Sequence, residues 1–471
     1  MPTLLPRSTP AASGISSRAI GALLDRLAER SVECHSLMVV HRGHVVAEGW
    51  WAPYSAQRPH LLYSLTKSFT AIAVGLVIAD GLLTLDDRVV DVLPDHVPAD
   101  LPEQGRRLTV HHLLSMTAGH PVDSLDGAWK SEPGDLVKGF LRGPFATTEG
   151  TRHVYDNSTT FVLARMVERV SGRGLPEFLD ERLFGPMGIE AAEWDRVASG
   201  AAFGFHGLHL TTEAIAAFGE LLLREGVWGG RQLVPRDWVK AATSRQIETL
   251  QLADGSLDDD SIVGYGYQFW MSRGGYRGYG SFEQLCMVYP EHDLVVAMTA
   301  GDGPSGAAPA AVWDCLLPGV GRTSGRDDDA LADRLQRMAF TPMPGSAGPS
   351  HAVTARIDAA PDGSALPDGT SVAVEPLDGG WQVRLGSIAI AAGHGEWQES
   401  SPLGRPVVAA GGWQGDTFVA DLFLITTPHR VRLVLDGDAG TATATWNTVP
   451  LTGPRMELHL RSPLMTRPDV S

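Results

Sequence analysis

The chain has 471 residues, of which 43% are hydrophobic, so it is long enough for two or three domains with buried cores. Its 55 acidic residues outnumber its 38 basic ones, and a formal net charge of −17 disfavours non-specific attraction to nucleic acid or to an anionic membrane surface. We therefore expect neither nucleic acid nor a membrane as a partner.

The amino-terminal sequence and the apolar runs predict no targeting or membrane-spanning segment. Residues 1–27 contain no apolar stretch of roughly 7–15 residues ahead of a small-residue cleavage site, and no run of about 18 apolar residues occurs anywhere. The three cysteines, Cys34, Cys286 and Cys315, are too few and too far apart for a disulfide framework or a zinc site. These features predict a cytoplasmic protein without a metal or other cofactor.

The first elements predicted along the chain are a β-hairpin and a buried helix. Residues 36–51, SLMVVHRGHVVAEGWW, alternate in character and turn at Arg42-Gly43. The run AIAVGLVIADGLL, from residue 71, is apolar on nearly every helical face. Further helices are predicted within four segments, 108–119, 158–172, 212–226 and 236–246, and the second and third end at Gly172 and Gly226, as helix C-termini often do.

A second hairpin is predicted at residues 284–301, QLCMVYPEHDLVVAMTAG, with its turn at 290–293. Strands at both ends of this region, with helices between them, predict an α/β fold of the α+β kind. An antiparallel sheet closed by sequence-distant strands would be flanked by helices and would carry a helical insert at about 80–200. We assign residues 1–320 to this domain.

The character of the sequence changes after residue 320. Residues 321–350 are rich in glycine, proline and charge and contain one short helical segment, so they predict a linker. Short alternating segments then predict an all-β domain at 351–471, a small barrel or sandwich with a lipocalin-like barrel as one form. The segments are HAVTARID, SVAVEP, WQVRLGSIAIAA, TFVADLFLI, RVRLVLD and TATATW, and the core is expected to contain Trp381, Trp413 and Trp446.

Ser64 and Lys67 stand where the buried helix begins. Side chains three residues apart on a helix lie about 5–6 Å apart at Cβ, so the Lys67 amine can reach the Ser64 hydroxyl. Burial lowers the pKa of a lysine toward neutrality, and a neutral amine can take the proton of a serine nucleophile. In the alternative interpretation, Ser64 caps the helix and Lys67 extends to solvent.

Tyr155 and Asn157 precede the amphipathic helix at 158–172 and are separated by one residue. On an extended segment their side chains would point the same way, and a nearby ammonium would lower the pKa of the phenol so that it could relay a proton. Alternatively, Asn157 or Ser158 caps the helix and Tyr155 is a core aromatic residue.

Three motifs in order carry a resemblance: Ser64-Leu-Thr-Lys67, Tyr155-Asp-Asn157, and a Gly-rich strand before the hairpin with Pro-Glu-x-Asp-Leu-Val-Val. Over about residues 15–317 the chain resembles the serine β-lactamase and penicillin-binding-protein superfamily, and more narrowly the class C β-lactamase-related serine hydrolases. The resemblance implies an acyl-enzyme on Ser64, with Lys67 as base and Tyr155 as proton relay. Asn157 would hold a substrate carbonyl or orient Lys67, and the substrate would be a small-molecule or peptide ester or amide.

The third motif departs from the family pattern. Where the family has Lys-Thr-Gly or His-x-Gly, this sequence has Gly278-Tyr279-Gly280, so the cation that helps to hold a substrate carboxylate is missing. This departure argues against classical penicillin binding, with Arg273 and Arg277 as possible replacements for the cation. Glu283 stands where related sequences carry glycine, and we expect it to point outward or to have a special role.

The strand of the third motif can still bind substrate. We assign the oxyanion hole to the backbone N–H groups of Ser64 and Ser281. Tyr279 would narrow the cleft or stack on an apolar acyl group, and simple packing is its alternative. Three histidines that could approach a cleft are expected to be structural: His120, His206 and His209.

The sequence leaves three functions open. The first is a serine hydrolase for an ester or amide, and the second is an acyltransferase or a penicillin-binding-protein-type thioesterase or peptide cyclase that uses the same acyl-enzyme. The third is a catalytically silent binding protein on the same scaffold, favoured by the missing cation and by Glu283.

Overall fold

The computed structural model of the protein describes residues 3–190, 192–197, 199–249, 263–322, 327–358, 360–463 and 465–466. Residues 323–326 of the predicted linker and the last five residues of the predicted all-β domain lie outside this part.

The α-helices of five or more residues in the described part are Ser17–Glu29, Thr66–Ala79, Glu103–Arg107, Val110–Leu114, Leu125–Ser131, Leu136–Arg142, Asn157–Ser171, Leu175–Leu179, Thr212–Leu223, Arg236–Ala242, Ala307–Ala311 and Asp328–Gln336. Short strands are His60–Leu61, Glu193–Trp194, Arg196–Val197, Leu208–Leu210, Val227–Trp228, Arg231–Gln232 and Met465–Thr466. Among the helices of the described residues, none has the length and apolar character needed to cross a bilayer.

The chain divides into two compact units. The first contains the described residues up to Gly49 and from Leu61 to Gln336, and the second contains Trp50–His60 and the described residues from Arg337 to Thr466.

A six-stranded sheet forms the centre of the first unit. Its strands are β1 (Cys34–His41), β2 (His44–Trp50), β3 (Trp270–Ser272), β4 (Gly275–Gly280), β5 (Gln284–Tyr289) and β6 (Leu294–Ala300). They lie in the order β2-β1-β6-β5-β4-β3.

Both predicted hairpins of this sheet are present, and the sheet is closed by strands distant in sequence. Arg42 and Gly43 have φ of 52° and 75°, the left-handed conformation that a tight two-residue hairpin turn requires. Strand β1 pairs antiparallel with β6, with Leu37 opposite Met298. All eight residues of β1 and all seven of β6 are buried, so helices must cover both faces of the sheet here. The predicted fold class of this region is confirmed.

The helix Thr66–Ala79 is buried from Thr66 to Val77, which explains why its sequence is apolar on every face. Its polar side chains are paired internally, because Ser68 Oγ donates to the Gln268 carbonyl at 2.9 Å and Thr70 Oγ1 donates to the Gly204 carbonyl at 2.7 Å. These bonds fix the helix against two separate segments of chain. They hold the start of the helix, which carries Lys67 and directly follows the turn with Ser64, in one position.

The second unit contains an eight-stranded barrel, so the barrel form of the predicted all-β domain is confirmed. Its strands are β7 (Val353–Ile357), β8 (Ser371–Leu377), β9 (Gly380–Leu385), β10 (Ile388–Gly393), β12 (Val407–Gln414), β13 (Thr417–Phe423), β14 (Arg430–Asp436) and β15 (Thr441–Trp446), while the short β11 (Gln398–Ser400) pairs with β12. The order is β10-β9-β8-β7-β15-β14-β13-β12, and pairing of β10 with β12 closes the ring. The three predicted tryptophans lie in its buried core.

Two details of the barrel differ from the sequence analysis. The segment WQVRLGSIAIAA forms two strands, β9 and β10, because Gly386 with φ of 62° reverses the chain between them. Strand β12 was not predicted, because its sequence VVAAGGWQ is rich in alanine and glycine, which have low strand propensity. Burial of this strand in the closed barrel overrides that propensity.

Candidate active site

Ser64 lies in a short 3-10 turn, Tyr63–Leu65, and the α-helix begins only at Thr66. Tyr63 has φ of 47°, an unusual conformation for an aromatic residue. Its ring makes an edge contact with Phe282, at 5.2 Å between centroids, and stacks with His206 at 6.3 Å. Packing of the Tyr63 ring therefore holds a strained backbone immediately before the candidate nucleophile.

Lys67 is buried, with 1% of its surface exposed, and its amine makes three hydrogen bonds. Lys67 Nζ lies 2.9 Å from Ser64 Oγ, 2.7 Å from Asn157 Oδ1 and 3.0 Å from the Phe205 carbonyl oxygen. The predicted contact between the Lys67 amine and the Ser64 hydroxyl is present, and the alternative in which Lys67 extends to solvent is wrong.

The three partners of Lys67 suit both protonation states of the amine. The ammonium donates to all three, including Ser64 Oγ. The neutral amine has two N–H donors and one lone pair. The amide oxygen of Asn157 and the carbonyl oxygen of Phe205 can only accept, so in the neutral form they take both N–H groups, and the lone pair then faces the Ser64 O–H. Burial lowers the pKa of Lys67 from 10.5 to about 7, with the carboxylates of Asp123 and Asp156 opposing the shift.

Tyr155 is the second group at the Ser64 hydroxyl. Its phenol shares a hydrogen bond with Ser64, and Lys67 Nζ lies 4.9 Å from the centre of its ring. The ring is stacked on Trp270, 5.7 Å between centroids and 11° between planes. Burial raises the pKa of Tyr155 above its ordinary value, so our expectation of a lowered phenol pKa is wrong: the neighbouring amine has lost much of its charge, and desolvation dominates.

Asn157 is the first residue of the helix Asn157–Ser171, and the helix cap is Asp156, whose side chain accepts from the Ser158 N–H at 2.9 Å. The alternative in which Asn157 or Ser158 serves as the cap is therefore wrong. Asn157 Oδ1 faces Lys67, while Asn157 Nδ2 donates to Asp123 Oδ2 at 2.5 Å. Tyr155 and Asn157 thus converge on the Ser64 and Lys67 pair, as predicted from their spacing.

The strand β4 packs directly against the turn that carries Ser64, and its glycines make this possible. A Cβ added to Gly280 would lie 2.0 Å from the Leu62 carbonyl oxygen, and one added to Gly278 would lie 2.3 Å from Leu65 Cδ1. Ser281 follows Gly280 and precedes Phe282, whose ring contacts Tyr63. The predicted oxyanion residue is therefore held in the chain between two contacts with the Leu62–Tyr63 segment.

Tyr279 packs with Tyr155 against the buried cluster of Met116, Tyr265 and Trp270. Its hydroxyl donates to Glu283 Oε1 at 3.1 Å, and burial together with the Glu283 carboxylate raises the pKa of the Tyr279 phenol. Packing and a hydrogen bond therefore fix Tyr279 at the site.

Glu283 and Arg277 are both 1% exposed, so the first of the two alternatives for Glu283, that it points outward, is wrong. Glu283 Oε1 also accepts from the Gly306 N–H at 3.3 Å, and Arg277 Nη1 donates to the Ser272 hydroxyl. The guanidinium of Arg277 lies 5.9 Å from the Tyr279 ring centre. The buried side chains of Glu283 and Arg277 thus support the third-motif strand through these contacts.

The three histidines singled out in the sequence have structural contacts. His120 Nδ1 lies 3.1 Å from the Pro144 carbonyl oxygen, His209 Nε2 lies 3.2 Å from Asp195 Oδ2, and His206 stacks on Phe203 as well as Tyr63. Across the described residues, no group of three or more His, Cys, Asp or Glu side chains is arranged to hold a metal ion.

The sequence analysis missed two groups at the site, the Phe205 carbonyl and Asp123. A backbone carbonyl leaves no residue signature, although Gly204 and Gly207, with φ of 75° and 98°, mark an irregular segment around Phe205. Asp123 follows the helix Val110–Leu114 in a loop, 34 residues before Asn157, and no local pattern connects the two.

The part of the chain that carries this site matches a known family. The profile of the family described as Beta-lactamase matches residues 20–314. The chain belongs to the Beta-lactamase family. Residues 20–314 contain all the motifs of the candidate site.

Relatives of this Beta-lactamase family protein include hydrolases and an esterase. The chain is 26% identical to the 6-aminohexanoate-dimer hydrolase of Paenarthrobacter ureafaciens over 310 residues, 61% of this chain and 78% of the relative. It is 30% identical to the lovastatin esterase of Penicillium rubens over 156 residues, 28% of this chain and 39% of the relative. A structure described as a putative 6-aminohexanoate-dimer hydrolase from Bacillus anthracis shares the fold, with a TM-score of 0.54 at 19% identity over 66% of this chain and 85% of that one.

Proposed function

We propose that the protein is a serine hydrolase that cleaves an ester or amide through an acyl-enzyme on Ser64. The observation that carries the proposal is the bonding of Lys67: two partners that can only accept, and one hydroxyl that can donate. In its neutral form, a buried amine in this arrangement directs its lone pair at the Ser64 proton. The hydrolase and esterase relatives support the reaction class.

In the acylation step, Ser64 Oγ forms a bond to the substrate carbonyl carbon while its proton passes to Lys67 Nζ. The carbonyl π electrons move to the oxygen, which the N–H groups of Ser64 and Ser281 stabilise; loss of one such donor typically costs about 3–4 kcal/mol. The intermediate then collapses, the bond to the leaving group breaks, and the leaving group takes a proton from the Tyr155 phenol, which is replenished from the Lys67 ammonium. Lys67 is neutral again, and the acyl group remains on Ser64.

In the deacylation step, water adds to the acyl carbon and gives its proton to the same Lys67 and Tyr155 pair. The ester bond to Ser64 breaks, Ser64 Oγ regains a proton and the acid product leaves. The phenol of Tyr155 keeps its proton over the working range, because burial raises its pKa, so it passes protons on through its hydrogen bond to Ser64 and Lys67 acts as the base.

The third-motif strand favours an acyl group without a carboxylate. Any side chain at position 278 would clash with Leu65, so this strand has no room there for a cation. Arg277 is buried and bonded to Ser272, and the exposed carboxylate of Asp123 lies beside Asn157. A neutral ester such as p-nitrophenyl butyrate should therefore acylate Ser64 at least about tenfold faster than mono-p-nitrophenyl succinate, since like charges repel. Equal rates would refute this substrate preference.

The proposal is tested by intact-protein and peptide mass spectrometry after rapid mixing with p-nitrophenyl butyrate. We expect a butyryl adduct on the peptide containing Ser64 and a burst of p-nitrophenol. The Ser64→Ala variant should show neither, while Ser131→Ala, a change of an exposed serine, should behave as the parent. An adduct of equal yield in Ser64→Ala would refute the mechanism. Added hydroxylamine that diverts the acyl group to a hydroxamate would show that an amine can also accept it.

A further inference from the structure

The amide of Asn157 has two ends, and only one of them suits Lys67. The oxygen accepts a hydrogen bond from the Lys67 amine, whereas the NH2 group would compete with Ser64 for the lone pair of a neutral amine. A half-turn about the last side-chain bond exchanges the two ends. The orientation of this amide therefore decides whether the Lys67 lone pair remains directed at Ser64.

Asp123 fixes that orientation. Its Oδ2 accepts from Asn157 Nδ2 at 2.5 Å, and its Oδ1 accepts from the backbone N–H of Asn157 at 3.1 Å. The same Oδ1 accepts from the Leu125 N–H at 3.1 Å, which anchors the carboxylate to the first turn of the next helix. A carboxylate cannot donate, so it holds only the NH2 end of the amide.

We propose that Asp123 is a positioning residue of the active site, whose carboxylate keeps the Asn157 amide oxygen directed at Lys67. This inference rests on the proposed function, because it assigns Asp123 to the base of that reaction. Asp123 acts through Asn157, and the chain of contacts runs from Asp123 Oδ2 to Asn157 Nδ2, then from Asn157 Oδ1 to Lys67 Nζ at 2.7 Å.

A second acid, Asp156, is buried close to Asp123 and to the base. The Asp156 carboxyl accepts from the N–H and hydroxyl of Ser124, at 3.2 and 2.9 Å, and from the Ser158 N–H. Burial, together with the negative charge of Asp123, raises the pKa of Asp156. The titratable groups facing Lys67 are thus Asp123, Asp156 and the Tyr155 phenol.

The test is a double-mutant cycle on the full-length protein with Asp123→Ala and Asn157→Ala, measured as kcat and KM for p-nitrophenyl butyrate. Loss of an outer partner that orients a catalytic group typically costs about 10–100-fold in activity, so Asp123→Ala should lower kcat by that amount with little change in KM. In the Asn157→Ala background the same change should cost less than about twofold, because the amide that Asp123 orients has gone. Independent, additive losses would overturn the proposal, and so would an unchanged kcat in Asp123→Ala.

A second readout separates the charge of Asp123 from its shape. Asp123→Asn keeps the size but removes the negative charge that raises the pKa of Lys67, so the acid limb of kcat/KM should move to lower pH. Asp123→Glu keeps the charge, so the acid limb of its kcat/KM profile should lie at the same pH as that of the parent. Glu103→Gln, the same loss of charge at an exposed acid, is the matched control and should leave the profile unchanged. An acid limb that does not move in Asp123→Asn would overturn the proposal.

Failure of this inference differs from failure of the proposed function. If Ser64→Ala abolishes acylation while the Asp123 variants behave as the parent, only the role of Asp123 is refuted. If Ser64→Ala remains active, the acyl-enzyme mechanism itself is wrong. Thermal denaturation of each variant confirms that it is folded, which we expect because Asp123 is exposed.

Discussion

The pH dependence of acylation tests the assignment of Lys67 as the base. With its ordinary pKa of 10.5, about 0.03% of a lysine is neutral at pH 7, whereas a pKa of about 7 makes about half of it neutral. Burial therefore raises the concentration of the active form about a thousandfold at neutral pH. Because only the neutral amine accepts the Ser64 proton, kcat/KM should rise with pH and level off above about pH 8.

The expected dependence of kcat/KM on pH follows from the pKa of about 7 for Lys67. At pH 6 about a tenth of Lys67 is neutral, so kcat/KM should be about fivefold lower than at pH 7, and it should fall a further tenfold at pH 5. The assay is stopped-flow release of p-nitrophenol from p-nitrophenyl butyrate, followed at the isosbestic wavelength so that the ionisation of the product does not enter. The rate with Ser64→Ala is subtracted at each pH.

Two variants complete this test. Lys67→Met retains an unbranched side chain but removes the base, and acylation should fall about 10²–10⁴-fold. Lys240→Met makes the same replacement at an exposed lysine on the helix Arg236–Ala242 and should leave the rate and the profile unchanged. A profile that is flat between pH 5.5 and 8, or acylation of Lys67→Met at the parent rate, would refute the reasoning.

Three further predictions concern the relay, the strand and the stability. Tyr155→Phe should keep its stacking on Trp270 but slow acylation about 10²-fold or more, measured by the p-nitrophenol burst. Gly280→Ala should lower the free energy of unfolding by about 1–3 kcal/mol and slow acylation, because the added Cβ meets the backbone of Leu62. Gly21→Ala has open space around the added Cβ and should raise the free energy of unfolding by about 1 kcal/mol; urea unfolding measures both changes. The lowered pKa of Lys67 also makes stability depend on pH. Between pH 7 and 9 the unfolded chain binds a proton that folded Lys67 does not, so the parent should gain free energy of unfolding relative to Lys67→Met, by up to about 1.4 kcal/mol per pH unit. A difference between the two proteins that does not change with pH would contradict the lowered pKa.

Local sequence patterns were sufficient for the two hairpins of the central sheet, for the buried helix and for the central pair of the site. The spacing of Ser64 and Lys67 and the apolar run after them predicted a buried amine in contact with a hydroxyl, because helix geometry and desolvation act over a few residues. The two hairpins followed from their alternation and turn residues. The closed barrel was less fully predicted, since strand β12 has a composition that favours no strand until its neighbours bury it.

The tertiary structure decided the protonation states and the partners of the catalytic groups. The raised pKa of Tyr155 reflects burial by residues from distant segments, and the orientation of Asn157 depends on a carboxylate 34 residues away. The Phe205 carbonyl, 138 residues from Lys67, takes the second N–H of the amine. Local sequence fixes which groups a segment can offer, but desolvation and hydrogen-bond pairing depend on all the segments that meet at one point, and only the folded chain brings those together.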